Sequence, residues 1–228
     1  GRSDLGLGRA PGTDGPTMRA LRRNRVETEE DFPRDVQELQ RLLAPAQAGQ
    51  PIVAVPGAGT NVPIWLLGSS LFSAQLAAYL GLPYAFASHF APRMLHQALA
   101  IYRQTFKPSA ALAKPYAIVG VPVIAAPTDA EAQFLASSTY QRVLDILTGN
   151  RTRLQPPVEG FMEQVSERER AAIADFLAVG IIGGPQTVRA GLQALAQATQ
   201  ADEFMLVSDV FDADLRLRSL QLTAQAMV

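Results

Sequence analysis

From Asn61 onward, short apolar runs alternate with stretches in which apolar positions return at helical spacing. That alternation is the signature of repeated βα units around a parallel sheet. Pro63 to Leu67 is apolar on both faces, as a strand covered by helices requires, and Gly68-Ser69-Ser70 turns it into a helix predicted over Leu71 to Leu80. Tyr84 to Ser88 is the next strand, and Pro92 opens a helix with Leu95, Leu99, Tyr102 and Phe106 on one stripe. Tyr116 to Ala125 reads as a long apolar strand with an irregularity at Pro122 near its end. A helix over Asp129 to Leu147 leads into a long polar insertion containing Pro156-Pro157. There Ser166-Glu167-Arg168-Glu169 forms a capping box that starts another helix. Pro185 to Ala198 is a helix, Glu203 to Ser208 a strand, and Ala213 to the end a last helix.

The chain ahead of Asn61 is less regular. Asp4 to Arg9 is a short strand ending in the turn Ala10-Pro11-Gly12-Thr13-Asp14-Gly15-Pro16, followed by an Arg-rich connection from Met18 to Arg25. Glu27 to Leu43 is a predicted helix with acidic residues at its start and Phe32, Val36, Leu39 and Leu43 on one face. Ile52 to Val55 with the turn Pro56-Gly57-Ala58-Gly59 suggests a small hairpin. The strands counted in this way begin near Leu5, Ile64, Tyr84, Tyr116 and Phe204, whereas a closed parallel barrel of this class has eight. The count, with a start that lacks methionine and enters a strand at once, carries the expectation of some three further βα units, about 100 residues, upstream.

Composition narrows the partners. With 228 residues, 48% hydrophobic and 18% charged, the chain is expected to form one globular domain over residues 1–228. Twenty basic against 21 acidic side chains leave no footprint for nucleic acid or an anionic membrane, so the partner is a small molecule or another protein. The absence of cysteine and the presence of only His89 and His96 exclude thiolate chemistry, disulfides and a His/Cys zinc site, and no metal is expected. Leu42 to Pro92 contains no Asp, Glu, Lys or Arg, but its prolines and glycines leave no membrane-length span, and a cytoplasmic location is expected.

Several residue sets invite chemistry. Gly6-Leu7-Gly8-Arg9-Ala10-Pro11-Gly12 has its third glycine misplaced for a dinucleotide fingerprint and is followed by a turn. Arg9 ends a strand, where barrels of this kind place their sites; its guanidinium either pairs with a phosphate or binds a neighbouring acid. Gly68-Ser69-Ser70 offers backbone N–H groups and hydroxyls at a helix start, with Ser73 one turn on, an arrangement that either binds an anion or merely caps the helix. Arg34 is a further cation, better read as solvated, and Gly183-Gly184-Pro185 is a turn and cap. His89 ends its strand at the same face, as a pocket residue or a packed one, whereas His96 belongs to the helix surface. No nucleophile, histidine and carboxylate arrangement supports a hydrolase.

Gly1-Arg2-Ser3-Asp4-Leu5-Gly6-Leu7-Gly8-Arg9-Ala10-Pro11-Gly12-Thr13-Asp14 resembles the fourth-strand signature of the bacterial luciferase-like, flavin-dependent monooxygenases. Further segments are similar to that family in the same order: Trp65 to Ser70, Gly81 to Phe90, Gly183 to Val188, and Asp202 to Val207. The resemblance implies an α/β fold, a (β/α)8 TIM barrel of which strands four to eight, about five βα units, lie in this chain. It also implies reduced FMN as cosubstrate, O2 as oxidant, a small organic substrate, a flavin reductase as supplier of FMNH2, and a homodimer. By the same resemblance Gly8, Arg9, Gly68, Ser69, Ser70, Ser73 and His89 are the expected cofactor-binding residues. Gly8 would lie near the reacting edge of the flavin, and Thr148 to Ile182 would form a mobile lid. No catalytic base is identified. Two other readings stand beside this one: a deazaflavin-dependent oxidoreductase on the same barrel, and a non-catalytic truncated flavin-binding or assembly fragment.

Overall fold

Strand β1 (Leu5–Gly8) runs parallel to β2 (Ile64–Gly68), with Leu5 opposite Ile64 and Gly8 opposite Leu67. They belong to the first of two units in the computed structural model, which describes residues 3–9, 17, 20, 31–150 and 152–227. The turn expected over Ala10–Pro16 and the Met18–Arg25 connection lie mostly outside the described residues. The first unit comprises the chain up to Ala85 together with Gln97–Tyr116, and the second comprises Phe86–His96 and the chain from Ala117 onward.

In the first unit, α1 (Phe32–Leu43) is strongly amphipathic, buries Val36 and carries proline in its first turn, where no N–H is missed. The segment Ile52–Gly59 makes no hairpin. Its backbone bonds are local turns, Val55 N–H to Val53 O and Ala58 N–H to Ala54 O, and the Gly59 and following Asn61 N–H groups donate to Ala44 O and Leu43 O at the end of α1, while Pro51 and Pro56 have no N–H to give a ladder. Helix α2 (Leu71–Leu80) has no polar face, and its Ser73, Ala74, Leu76, Ala77 and Ala78 are all buried. Gly81 ends it at φ 63°, and a side chain there would run into Lys107 O and Ser109. Strand β3 (Tyr84–Phe86) follows. Tyr102, on α3 (Leu95–Thr105), ties the unit together: its buried hydroxyl donates to Leu82 O at 2.9 Å and accepts from the Tyr116 N–H at 3.1 Å.

In the second unit, β4 (Ala117–Ala125) pairs in parallel with both β5 (Ile181–Gly183) and β6 (Glu203–Val207). Every residue of β4 but Pro122 is buried, as a strand covered on both faces requires. The strand runs through Pro122 because this residue occupies the last pair with β6, opposite Val207, where the ladder loses least. Helices α4 (Asp129–Thr148), α5 (Phe161–Gln164), α6 (Glu167–Phe176), α7 (Pro185–Thr199) and α8 (Ala213–Ala226) complete it. The capping box forms as read: the Ser166 N–H donates to Glu169 Oε2 at 2.8 Å and the Glu169 N–H to Ser166 Oγ at 3.3 Å.

The stretch read as a polar insertion is docked onto α4. Ile173 is buried in one cluster with Ala132, Leu135, Ala136, Tyr140 and Val143, and Phe161, Met162, Phe176 and Leu177 pack against it. Backbone and side-chain bonds add to this: the Val158 N–H donates to Ser137 Oγ at 2.8 Å, and Gln141 Nε2 to Pro156 O at 2.9 Å. The segment ends in β5, a sixth strand beside the five counted from sequence. Two residues, Ile181 and Ile182, between Gly180 and Gly183-Gly184 give too short an apolar run to separate from a turn. Among the described residues no helix is long and apolar enough to cross a membrane.

Candidate functional site

The end of β1 and the start of α2 meet through one contact. Arg9 leaves β1 and lays its guanidinium over the Phe72 ring, 4.5 Å from the centroid, and Phe72 is the second residue of α2. A cation–π seat of this kind fixes a flexible arginine at the helix N-terminus, where first-turn N–H groups have no intrahelical partner. Beside it, Gly8 faces Leu67 across the β1–β2 register, and a Cβ on Gly8 would find only ordinary contact, 3.7 Å from Leu67 O. A Cβ on Gly6 would lie 2.7 Å from a methyl group of the exposed Leu67, which would have to turn aside to admit it.

The turn Gly68-Ser69-Ser70 has a defined internal order. Ser70 caps α2, its Oγ accepting from the Ser73 N–H at 3.5 Å. Ser73 is turned inward: its hydroxyl donates to Ser70 O at 2.8 Å and lies 3.1 Å from the Tyr84 hydroxyl. Burial pushes the Tyr84 phenol up to about 12, against the opposing pull of the Ser73 hydrogen bond. A side chain at Gly68 would overlap Ser73, so glycine is required for the turn to fold over it. Ser69, Ser70 and Arg9 are half-buried, and Ser73 acts as the fastener behind them.

The glycine-led start of α7 is already filled. The Gly184 N–H donates to Asp129 Oδ1 at 2.6 Å, and Thr187 Oγ1 donates to the same oxygen at 2.8 Å. These bonds, the Gly184 one foremost, hold the Asp129 carboxyl below its ordinary range, so α7 carries its own anion. Gly184 is therefore a turn and cap, as expected. Arg34 pairs with Asp31 at 2.9 Å in a largely exposed contact on α1, which agrees with its solvated reading.

His89 sits in the second unit, just beyond β3. Ser88, fully buried, donates its hydroxyl to Gly120 O at 2.5 Å and anchors the turn to β4. The His89 ring then fits where Gly120 has no side chain: a Cβ there would lie 2.5 Å from Nδ1. Nδ1 is buried without a hydrogen-bond partner, and the Phe90 ring is 4.1 Å away. Burial lowers the His89 pKa, Asp209 works against that and Arg142 adds to it; those two side chains pair with each other at 2.7 Å. His96 is exposed on α3.

Arg9, Gly8, Gly68, Ser69, Ser70 and Ser73 thus gather in the first unit, and His89 has its own surroundings in the second. Sequence reasoning passed over Phe72, Gly6, Tyr84, Gly120, Arg142 and Asp209. Gly120 alone carried a signal, since a glycine inside a long apolar strand marks a close approach.

A sequence model of the family described as luciferase-like monooxygenase matches residues 16–202. An uncharacterized protein YvbT of Bacillus subtilis is 50% identical over 225 residues, covering 98% of this chain and 67% of the relative. A luciferase-like monooxygenase of Escherichia coli is 47% identical over 222 residues, covering 97% and 66%. The chain thus spans about two thirds of the length of the curated relatives it matches. The crystal structure of apo-MsnO8 superposes with a TM-score of 0.81 at 33% identity, over 98% of this chain and 68% of that one. The fold class is therefore the α/β, luciferase-like TIM-barrel type, with part of the barrel present. Two more distant structures share the fold alone. One is the FMN-bound oxygenating constituent of 3,6-diketocamphane monooxygenase from Pseudomonas putida, with TM-score 0.57 and 16% identity over 97% of this chain and 71% of that one. The other is an F420-dependent secondary alcohol dehydrogenase with an F420-acetone adduct, with TM-score 0.59 and 12% identity over 100% and 70%.

Proposed function

Because the chain belongs to the luciferase-like monooxygenase family, we propose that it is the cofactor-binding part of a flavin-dependent monooxygenase that uses reduced FMN and O2 on a small organic substrate. The observation that carries this reading is the seat of Arg9 on Phe72, which puts a permanent cation at the same helix N-terminus as Gly68-Ser69-Ser70. The start of α7 carries its own carboxylate in Asp129, and the start of α2 brings together a cation, two serines and first-turn N–H groups. That donor set fits a terminal phosphate.

Reduced FMN, when bound, supplies the electrons that activate oxygen. The residues of this chain bind and orient it: Arg9, Ser69, Ser70 and the first N–H groups of α2 would take the phosphate, Gly68 lets the turn approach it, and Ser73 with Tyr84 braces the turn from behind. Gly8, which presents no side chain, would leave room for the ring system at the neighbouring strand end. A deazaflavin is the second reading, supported by the F420-dependent fold neighbour. The phosphate of FMN is terminal and carries close to two charges, so a guanidinium at a helix N-terminus suits it better than the singly charged diester of a deazaflavin.

Titration of flavin fluorescence tests the reading. FMN is expected to bind more tightly than F420, and Arg9→Ala to weaken FMN binding far more than His96→Ala does. Equal affinity of the two variants would remove Arg9 from the site, and tighter binding of F420 would move the assignment to the deazaflavin enzymes. FMN binding with reduced flavin reoxidised no differently from free reduced FMN would favour the non-catalytic, flavin-binding fragment.

A further inference from the structure

Helices α7 and α8, both in the second unit, leave an open groove of about 470 Å³ between them. Gln186, Arg189 and Gln193 stand at i, i+3 and i+7 and so share one face of α7, while Leu222, Gln225 and Ala226 line the groove from the last two turns of α8. The rest of the lining is apolar. Arg189 is the one formal charge in it. Helix α7 has no Asp or Glu, α8 has none after Asp214, and Asp129, at the start of α7, is taken up by the Gly184 N–H and the Thr187 hydroxyl.

Among the described residues the side chains of Gln186, Arg189, Gln193 and Gln225 have no hydrogen-bond or ion-pair partner. By contrast, Gln141, Gln155, Gln164 and Gln200 of the same unit donate their Nε2–H groups to backbone carbonyls, and Arg93 and Arg142 pair with Asp175 and Asp209. The groove thus gathers four unspent polar groups beside an apolar floor, in which Leu222 is half-buried and Ala226 buried. Sites for small ligands have this composition, a few polar groups that orient the ligand and apolar wall that takes up its surface.

The lining also specifies the ligand. A lone guanidinium pairs bidentately with a carboxylate, whereas a doubly charged phosphate would find one cation only. A carboxamide both donates and accepts, so glutamines beside the arginine match a secondary amide, which presents an N–H and a C=O. The apolar floor takes an aliphatic side chain. We propose that the α7–α8 groove binds an N-acyl α-amino acid group with an aliphatic side chain. Its carboxylate lies on Arg189, its amide among Gln186, Gln193 and Gln225, and its side chain on Leu222 and Ala226. Two sources carry that group, a free acylated amino acid and the C-terminal residue of a polypeptide. The site is independent of the flavin reading, since its residues all belong to the second unit, and Arg9 with the Gly68-Ser69-Ser70 turn belongs to the first.

The glutamine side-chain N–H signals in 15N-labelled protein read the groove directly, each assigned by its loss in Gln186→Leu, Gln193→Leu or Gln225→Leu. N-acetyl-L-leucine is expected to shift them saturably, with a dissociation constant on the order of 1 mM for a ligand of this size. N-acetyl-L-leucinamide, which lacks the carboxylate, is expected to bind about tenfold more weakly. No saturable shift, or equal affinity for acid and amide, would overturn the proposal. Arg189→Gln, an exposed change that leaves the melting temperature where it is, is expected to weaken the acid about tenfold and to abolish its advantage over the amide. An advantage that survives in this variant would overturn the assignment of the carboxylate.

N-acetylglycine tests the floor. The parent is expected to prefer N-acetyl-L-leucine, and Leu222→Ala to reduce that preference several-fold; an undiminished preference would contradict the placement of the side chain. An acetylated peptide of five residues ending in leucine separates the two sources. Binding about tenfold or more tighter than N-acetyl-L-leucine assigns a polypeptide C-terminus, and binding no tighter assigns the free acid.

Discussion

Asp129 reaches Gly184, 55 positions along the chain, and accepts its N–H at 2.6 Å, so the first residue of α4 serves as the cap of α7. The folded carboxyl is held below its ordinary range by Gly184 first and Thr187 second. A group depressed in the folded state adds stability above its unfolded pKa, and that stability is lost as pH falls through the folded value. Asp129→Ala is therefore expected to lower the melting temperature at neutral pH and to flatten the acid limb of the stability curve. Melting curves from pH 7 down to pH 3 check it; a variant that melts like the parent at both ends would show that the cap contributes nothing.

Tyr84 works in the opposite direction. Its phenol is pushed up to about 12 from the ordinary 10.0, so the folded state holds this proton more tightly than the unfolded chain does. Stability from this group is complete below pH 10 and is lost as pH rises toward 12. Tyr84→Phe is expected to remove that alkaline slope, although it also deprives Ser73 of a neighbour 3.1 Å away. Urea unfolding between pH 8 and 11 separates the two effects. The alkaline slope belongs to titration, and a pH-independent offset belongs to the lost hydrogen bond.

What the sequence disclosed depended on how local the cause was. The capping box at Ser166 and the α2 start at Gly68-Ser69-Ser70 are set by residues within one turn, and both could be read directly. Strand β5 was hidden because three residues bracketed by glycines show no period, and the docking of the 149–180 segment because its partner face on α4 is distant in sequence. The inward turn of Ser73 was not legible, since it depends on Tyr84, 11 residues away. The seat of Arg9 could not be foreseen, as it pairs the end of one strand with a helix that begins more than 60 residues later.

Ile173 tests the docking of that segment. It is buried among α4 side chains in the second unit, and truncating a core isoleucine costs about 2–5 kcal/mol. Ile173→Ala is expected to destabilise the protein within that range in urea unfolding and to speed protease cleavage between residues 150 and 180. Unchanged cleavage would mean that the segment moves as a lid independently of its packing on α4.

Phe72 tests the cation seat without touching a phosphate ligand. The ring holds Arg9 at 4.5 Å, and cation–π contacts at accessible sites contribute about 0.5–1 kcal/mol, a factor of about two to five in an equilibrium. If Arg9 binds phosphate from that seat, Phe72→Leu should weaken FMN by about that factor, because the guanidinium must then be ordered at the expense of binding. Riboflavin, which has no phosphate, should bind parent and variant equally. Equal weakening of both ligands would mean that Phe72 supports the ring pocket. Weakening of FMN alone would locate its effect at the phosphate end, where Arg9 and the Gly68-Ser69-Ser70 turn meet.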